Sequence, residues 1–278
     1  MDQTELRHPG GGRPLSASCG STDRMKTWQV RRIVKHRHDI ISLFFERPFD
    51  AQPGQFVEVW LPGVDEKPIS ISNLTGDELE LTVKAIGPFT RLLLDIQVGD
   101  RLGIRGPFGR GFSVVSDTLL IGGGMGIAPL RFLAERLLRA ELPHTLLFGV
   151  KTAEELMFCQ IYESRPEAFL TAEDSSLALS GRVSHHFEKI LAQRVVRRLA
   201  AAGPEPMLLA VRELGKKTGL PVELSFERYM KCGIGLCGHC CLDGSGIRVC
   251  IEGPVLTETE LSQVTDLGLP HRNAAGKH

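Results

Sequence analysis

The sequence predicts a multidomain β + α/β protein: an antiparallel β-barrel, then a Rossmann-like parallel α/β domain, then a small cysteine-rich C-terminal domain. Three observations predict it. Short strands with alternating apolar and polar residues fill the first part of the chain. An apolar run, a glycine-rich turn and a helical pattern follow one another from Thr118 to Leu138. Five of the seven cysteines fall between positions 232 and 250. The expected divisions are a lead over 1–24, a barrel over 25–113, an α/β domain over 114–224 and a cysteine domain over 225–278.

Composition narrows the function classes. The 33 Lys and Arg residues balance 33 Asp and Glu, which argues against bulk electrostatic binding of nucleic acid. Hydrophobic residues at 42% and charged residues at 24% are ordinary for a globular chain. The lead holds Gly10-Gly11-Gly12 with Ser16, Ser18 and Ser21, too polar to bury surface, and Met25 is an alternative start. The uncharged stretch Thr118–Leu130 is too short and too glycine-rich to span a membrane, which needs ~20 apolar residues. The N-terminus offers no charged-then-apolar export pattern, so a cytoplasmic location is expected.

The barrel strands come first. Leu79–Ala85 alternates with period two, as do Ile41, Leu43 and Phe45. Gln55–Leu61 is a third strand, bracketed by Pro53-Gly54 and Pro62-Gly63. Lys26, Arg31, Arg32, Lys35 and Arg37 read as the solvated side of a first strand, with a partner-facing patch as the rival. Lys67-Pro68-Ile69-Ser70 reads on its own as an exposed turn. A cation beside a hydroxyl and backbone amides also suits a phosphate or a flavin edge.

The period then changes. Thr118–Ile121 is an apolar strand, Gly122 to Pro129 a glycine-rich turn, and Leu130, Leu133, Ala134, Leu137 and Leu138 recur at helical spacing. Such a turn either packs tightly with no ligand or admits a pyrophosphate to a helix N-terminus. His144–Val150 is a further strand, and a short helix begins in Thr152–Phe158. Helices are expected over Ser184–Gln193 and around Met207–Leu214, ending near Gly215. Residues 194–202 carry a helical pattern where a doubly wound domain needs a strand. His185 and His186 read as a solvated helix start, with a ligand-facing histidine as the rival.

The cysteines are spaced Cys232-x4-Cys237-x2-Cys240-x9-Cys250. The first three match the plant-type ferredoxin run, which holds a 2Fe-2S cluster through four thiolates. Gly233, Gly235 and Gly238 permit the positive φ that turns amides toward sulfur. The rival is a four-cysteine zinc site, but zinc ligands usually form two separated knuckles. The odd count, with no export pattern, argues against disulfides. Cys241 reads as a small buried or neighbouring thiol, and Cys19 and Cys159 as ordinary residues. His239 in the loop suits a hydrogen bond to a partner or contact with a cluster sulfur, and not Rieske ligation, which takes two histidines on one iron.

The order of these pieces resembles the ferredoxin-reductase superfamily. Within it, the chain resembles the electron-transfer subunits of NAD-linked (class 1B) dihydroorotate dehydrogenases, from about Trp28 onward. Pro221–Cys240 and Arg248–Pro254 are the most specific stretches. The resemblance implies FAD contacts at Lys67, Pro68, Ile69 and Ser70, then at Thr82, Val83 and Lys84, then at Phe89 and Thr90. It implies NAD contacts at Gly122, Gly123, Gly124, Gly126, Ile127, Ala128 and Pro129. Gly106-Pro107-Phe108-Gly109 matches the turn between the domains. Cys232, Cys237, Cys240 and Cys250 match the cluster ligands. Three departures stand out. Lys67 replaces an arginine and loses its fork, Phe89 replaces a common glycine, and Ala202 replaces a common cysteine before Gly203-Pro204. The gap of nine residues before Cys250 is also short for some members.

The resemblance implies electron flow from dihydroorotate through a partner's FMN, the cluster and FAD to NAD+, in pyrimidine biosynthesis. The partner is an FMN-containing dihydroorotate dehydrogenase catalytic subunit, assembled as a heterotetramer. Related subunits serve sulfide dehydrogenases, transhydrogenases and hydrogenases. A colourless zinc-bearing regulatory module is the non-enzyme alternative. Lys151 and Arg182 suit a 2′-phosphate or are surface charges, which leaves NAD against NADP open.

Overall fold

Alternation with period two builds the barrel. Its strands are β1 (Lys26–Arg37), β2 (Ile40–Glu46), β3 (Phe56–Leu61), β4 (Asp65–Thr75), β5 (Glu78–Lys84) and β6 (Arg101–Phe108). They close in the order β1-β2-β5-β4-β3-β6, every pair antiparallel. Ile41, Leu43 and Phe45 of β2 meet Leu79, Leu81 and Val83 of β5 inside. Helix α1 (Pro88–Leu92) adds Phe89 to this core. The computed structural model describes residues 25–158, 162 and 167–270. The lead, Cys19, Cys159 and residues 271–278 lie outside them.

The basic side chains of β1 lie on the outside, where Arg31 pairs with Glu46 and Arg32 with Glu78. Lys67–Ser70 is a strand rather than an exposed turn. It lies in β4, with Val59 opposite Lys67 and Phe56 opposite Ser70. β4 pairs with β5 only from Ile71 onward, so residues 67–70 keep one open edge. Pro68 sits where that edge asks for no ladder donor.

The second layer is a sheet with helices on both faces. It holds β7 (Thr118–Gly123), α2 (Ile127–Arg139), β8 (His144–Val150), β9 (Ala168–Ala172), β10 (Leu179–Ser180) and α3 (Phe187–Gln193). It continues with β11 (Arg198–Ala202), α4 (Glu205–Thr218), β12 (Val222–Ser225), β13 (Val255–Thr257) and α5 (Glu258–Leu261). The strand order is β10-β9-β8-β7-β11-β12-β13, parallel except for β13. The order reverses between β7 and β11, the place where open α/β sheets bind ligands.

One open reading is decided and several local expectations are corrected. Residues 198–202 form β11, between β7 and β12, although their alanines favour helix. Two covered faces select small apolar residues there, and burial overrides propensity. Ala153–Glu155 is a single 3-10 turn, because Leu156 turns extended and Phe158 takes φ +59°. Val183–His186 is likewise 3-10 before α3 begins. Helix α4 runs past Gly215 to Thr218 and stops at Gly219, which is left-handed. Gly215 is instead a close-packing position, where a Cβ would lie 2.3 Å from Val222 Cγ1.

The cysteine segment is an excursion between β12 and β13, and β13 returns to the same sheet. Cys240 and Cys250 are buried in one core with Leu199, Leu208 and Leu224. Arg110, just beyond β6, clamps the excursion's end: its Nη1 and Nη2 each donate to Glu260 at 2.6 Å. Burial alone would raise the Glu260 carboxyl. Arg110 and the amide and hydroxyl of Thr257 outweigh it and hold the carboxyl at about 2. A depressed carboxylate stabilises the fold fully above its ordinary 4.5 and loses that contribution as pH falls toward 2. Glu260→Gln is therefore expected to lower stability at pH 7 and to flatten the acid limb. Urea midpoints at pH 7 and pH 3 check it, with a smaller difference between variant and parent at pH 3.

Candidate cofactor cavity and thiol centre

A cavity of about 660 Å³ opens between the barrel and the carboxyl ends of β7, β11 and β12. That size is typical of small-molecule and cofactor sites. One wall carries Lys67, Pro68, Ile69, Ser70, Thr82, Val83, Lys84, Phe89 and Thr90. The opposite wall carries Gly126, Ala128, Pro129, Ala202 and Gly203. Residues distant in sequence thus line one cavity. Gly122, Gly123, Gly124 and Ile127 do not line the cavity.

The glycine turn has a mixed character. A Cβ at Gly123 would lie 2.8 Å from Met207 Sδ, and one at Gly126 would lie 2.0 Å from the carbonyl oxygen of Ala202. Gly203 returns the contact, its Cβ position 2.9 Å from the Gly123 amide. These glycines let the β7 and β11 turns touch. Gly124, with φ +52° and nothing within 4 Å, is the one whose backbone faces open space.

Lys67 is anchored at the cavity wall. Its Nζ lies 2.5 Å from Asp65 and 5.5 Å from the centre of the Tyr229 ring. Burial works against its charge, but Asp65 and Tyr229 outweigh burial and raise its pKa. The segment after β12 completes the cavity with Phe226, Glu227, Arg228, Tyr229 and Met230. Arg228 fixes it, donating from Nη1 to Glu205 at 2.8 Å and lying 3.7 Å from Asp266. Glu227 is exposed on the cavity side, and the packing around it raises its pKa. No local pattern in the sequence marks the side chains of this segment.

The four cysteines stand as two pairs. The Cys232 thiol meets Cys237, and the Cys240 thiol meets Cys250. Gly233, Gly235 and Gly238 all take φ near +70°. The loop this allows turns amides onto sulfur: Cys237 N–H donates to Cys232 Sγ at 3.4 Å, and Cys250 N–H to Cys240 Sγ at 3.5 Å. Burial would raise the Cys232 thiol, but the amides of Cys237, Ile234 and Leu236 and the Cys237 thiol bring it to about 7. Contact from Cys250 and nearby amides brings Cys240 to about 6, and the shared proton pushes Cys250 up. Among the described residues, no three His, Cys, Asp or Glu side chains converge as ligands of a single ion. Two thiol pairs under converging amides match the donor chemistry of a cluster with two irons.

Other residues meet the loop from outside. Glu58 of β3 is 1% exposed, with Oε1 lacking a hydrogen-bond partner, and burial raises its pKa to about 7. A Cβ at Gly233 would lie 2.9 Å from it. His239 faces the Tyr229 ring at 6.4 Å, and its Nε2 is buried without a partner. His186 accepts or donates within the fold, at Thr171 and the Ser180 carbonyl. Lys151 is exposed and Arg182 lies 3.7 Å from Glu173. No described helix is long and apolar enough to cross a membrane.

Comparison with known proteins places this geometry in a class. The solved structure of an NADH-dependent reduced ferredoxin-NADP oxidoreductase, studied for flavin-based electron bifurcation, matches with TM-score 0.76 and 26% identity. The match covers 86% of this chain and 89% of that one. A ferredoxin NADP+ reductase from Neisseria gonorrhoeae shares the fold at TM-score 0.62 and 19% identity, over 70% of this chain and 92% of that one. The chain thus has the ferredoxin-reductase fold, with a cluster-binding segment at its C-terminal end. Residues 227–262 match the iron-sulfur cluster binding domain of dihydroorotate dehydrogenase B. Probable dihydroorotate dehydrogenase B (NAD(+)) electron transfer subunits match almost end to end. The one from Methanothermobacter thermautotrophicus is 39% identical over 90% of this chain and 95% of its own length. The one from Methanocaldococcus jannaschii is 34% identical over 90% and 96%. The chain belongs to the family of these electron transfer subunits.

Proposed function

We propose that this chain carries FAD, NAD(H) and a 2Fe-2S cluster, and passes electrons between a dihydroorotate-oxidising partner and NAD+. The observation that carries the reading is the shared cavity: flavin-motif residues on one wall, the nucleotide turn on the other, the thiol loop behind Tyr229. When bound, the flavin exchanges hydride with nicotinamide and single electrons with the cluster. Lys67, Ser70, Thr82, Lys84, Phe89 and Thr90 hold the flavin. Gly126, Ala128 and Pro129 shape the nicotinamide side, and Gly124 opens its backbone to the pyrophosphate. Ala202 supplies no thiol beside the nicotinamide.

Cys232, Cys237, Cys240 and Cys250 hold the cluster. Cys237 is exposed, and Leu236 beside it and Ile251 are 80% and 37% exposed. An apolar rim around an accessible ligand suits a docked protein surface. The partner we infer is an FMN-bearing catalytic subunit, in a heterotetramer. The bifurcating oxidoreductase match supports a second reading, a transhydrogenase-type assembly, at lower identity.

The native complex, purified anaerobically on a tagged chain, tests the assignment. An FMN subunit should co-purify, and the complex should form orotate from dihydroorotate with NAD+. A hydrogenase or a larger iron–sulfur flavoprotein in its place would overturn the substrate.

A further inference from the structure

A hydride that leaves for NAD+ takes two electrons and one proton. Electrons delivered by an iron–sulfur centre arrive singly and without protons. Each turnover of the proposed reaction therefore draws one proton from solvent into the cavity, and the reverse reaction returns it. This accounting rests on the function proposed above, and no residue has yet been given that task.

The barrel carries a row of polar groups suited to it. His36 Nε2 lies 2.8 Å from Ser42 Oγ, and Ser42 Oγ lies 2.8 Å from Thr82 Oγ1. The three stand on β1, β2 and β5, with Ser42 directly opposite Thr82 in the ladder. Thr82 is on the cavity wall. Ser42 is wholly buried and Thr82 nearly so, at 0% and 5% exposed. His36, at the far end, is half-buried, with its ring 4.8 Å from that of Phe158. A hydroxyl both donates and accepts, so two in series pass a proton while their oxygens stay in place. A cross-strand hydroxyl pair alone steadies a sheet by about 0.2–1 kcal/mol, and it needs neither an imidazole at one end nor a cavity at the other.

We propose that His36, Ser42 and Thr82 form a relay carrying one proton per turnover between solvent and the cavity. Inward, imidazolium Nε2–H gives its proton to Ser42 Oγ while the Ser42 hydroxyl hydrogen passes to Thr82 Oγ1. The Thr82 hydroxyl hydrogen then passes to the acceptor in the cavity, a proton from solvent returns to the ring, and both O–H bonds rotate back before the next transfer. Burial first, then Arg131 of α2, lowers the His36 pKa, so the ring releases its proton readily. Arg131 is itself paired with Glu80, and the nearby Arg37 with Asp39 and Glu155.

Ser42→Ala in the flavin- and cluster-loaded protein tests the relay by stopped flow. NADH reduction of bound flavin is a hydride transfer and needs no relay; it should stay within ~twofold. Reoxidation by ferricyanide releases a proton; it should slow at least ~tenfold, with a larger solvent deuterium isotope effect. His36→Gly should show the same split, and added imidazole should restore the second step. In flavin-free protein, Ser42→Ala should shift the His36 Nε2 resonance. Should Ser42→Ala not fold, His36→Gln serves, since it keeps a partner for Ser42 but cannot become a cation. An unchanged second step, or equal slowing of both steps, overturns the relay alone. Native protein that binds no flavin overturns the relay together with the function it rests on.

Discussion

Cys237→Ala is expected to abolish the visible and EPR signals of the cluster while NADH still reduces bound flavin at a near-native rate. The two events use different parts of the chain. The proposed hydride exchange belongs to the cavity, whose walls contain no cysteine. The proposed cluster needs all four thiolates, and these stand as two pairs, Cys232 with Cys237 and Cys240 with Cys250. Removing Cys237 leaves Cys232 alone on its side. Losing a residue that only supports a ligand costs a metal site 10–100-fold in affinity, so loss of the ligand itself costs more. Cys237 is exposed, and its replacement leaves the buried Cys240–Cys250 half of the core untouched. Transfer to the partner should fall by at least ~100-fold. Retention of full transfer in the variant would sink the scheme.

Much of this arrangement is legible in the sequence, and the illegible parts share a cause. The period-two strands and the spacing of the cysteines report local geometry, so they can be read without neighbours. The 198–202 strand cannot, because its alanines are chosen by two covered faces rather than by backbone preference. Glu58 belongs to no motif that would single it out in the sequence. The thiol loop, 174 residues on at Cys232, covers it. Lys67–Ser70 reads as a turn because a cation, a proline and a serine carry little signal without context. The open edge that accommodates it exists only once β5 ends its pairing at Ile71. The glycine turn is the subtlest case. Its composition suggests backbone approach by a ligand, yet Gly123 and Gly126 are needed by neighbouring protein. Composition alone does not separate a glycine that admits a ligand from one that admits another loop.

Substitution separates them. Gly126→Ala is expected to destabilise the fold by about 3 kcal/mol and to abolish NADH binding. Its Cβ would lie 2.0 Å from the carbonyl oxygen and 2.6 Å from the Gly203 amide nitrogen that follows it. Those are backbone atoms, so no side-chain rotation relieves the clash, and the cost belongs at the upper end of the ~1–3 kcal/mol for overpacking. The β7 and β11 turns must move apart at the sheet's switch point, where the nucleotide wall is built. A fall in Tm of roughly 6–12 °C follows for a chain of this size. The barrel wall keeps its shape, so flavin should remain bound. Gly124→Ala meets no atom within 4 Å and suffers only its positive φ, about 1 kcal/mol. It should weaken NADH at least ~tenfold if the pyrophosphate lies against this backbone as proposed, while Tm falls by only a few degrees. The pair is read by calorimetry and by NADH titration of flavin absorbance. Native NADH affinity in Gly124→Ala would move the pyrophosphate off this turn. Native stability in Gly126→Ala would mean that the two turns do not touch as described.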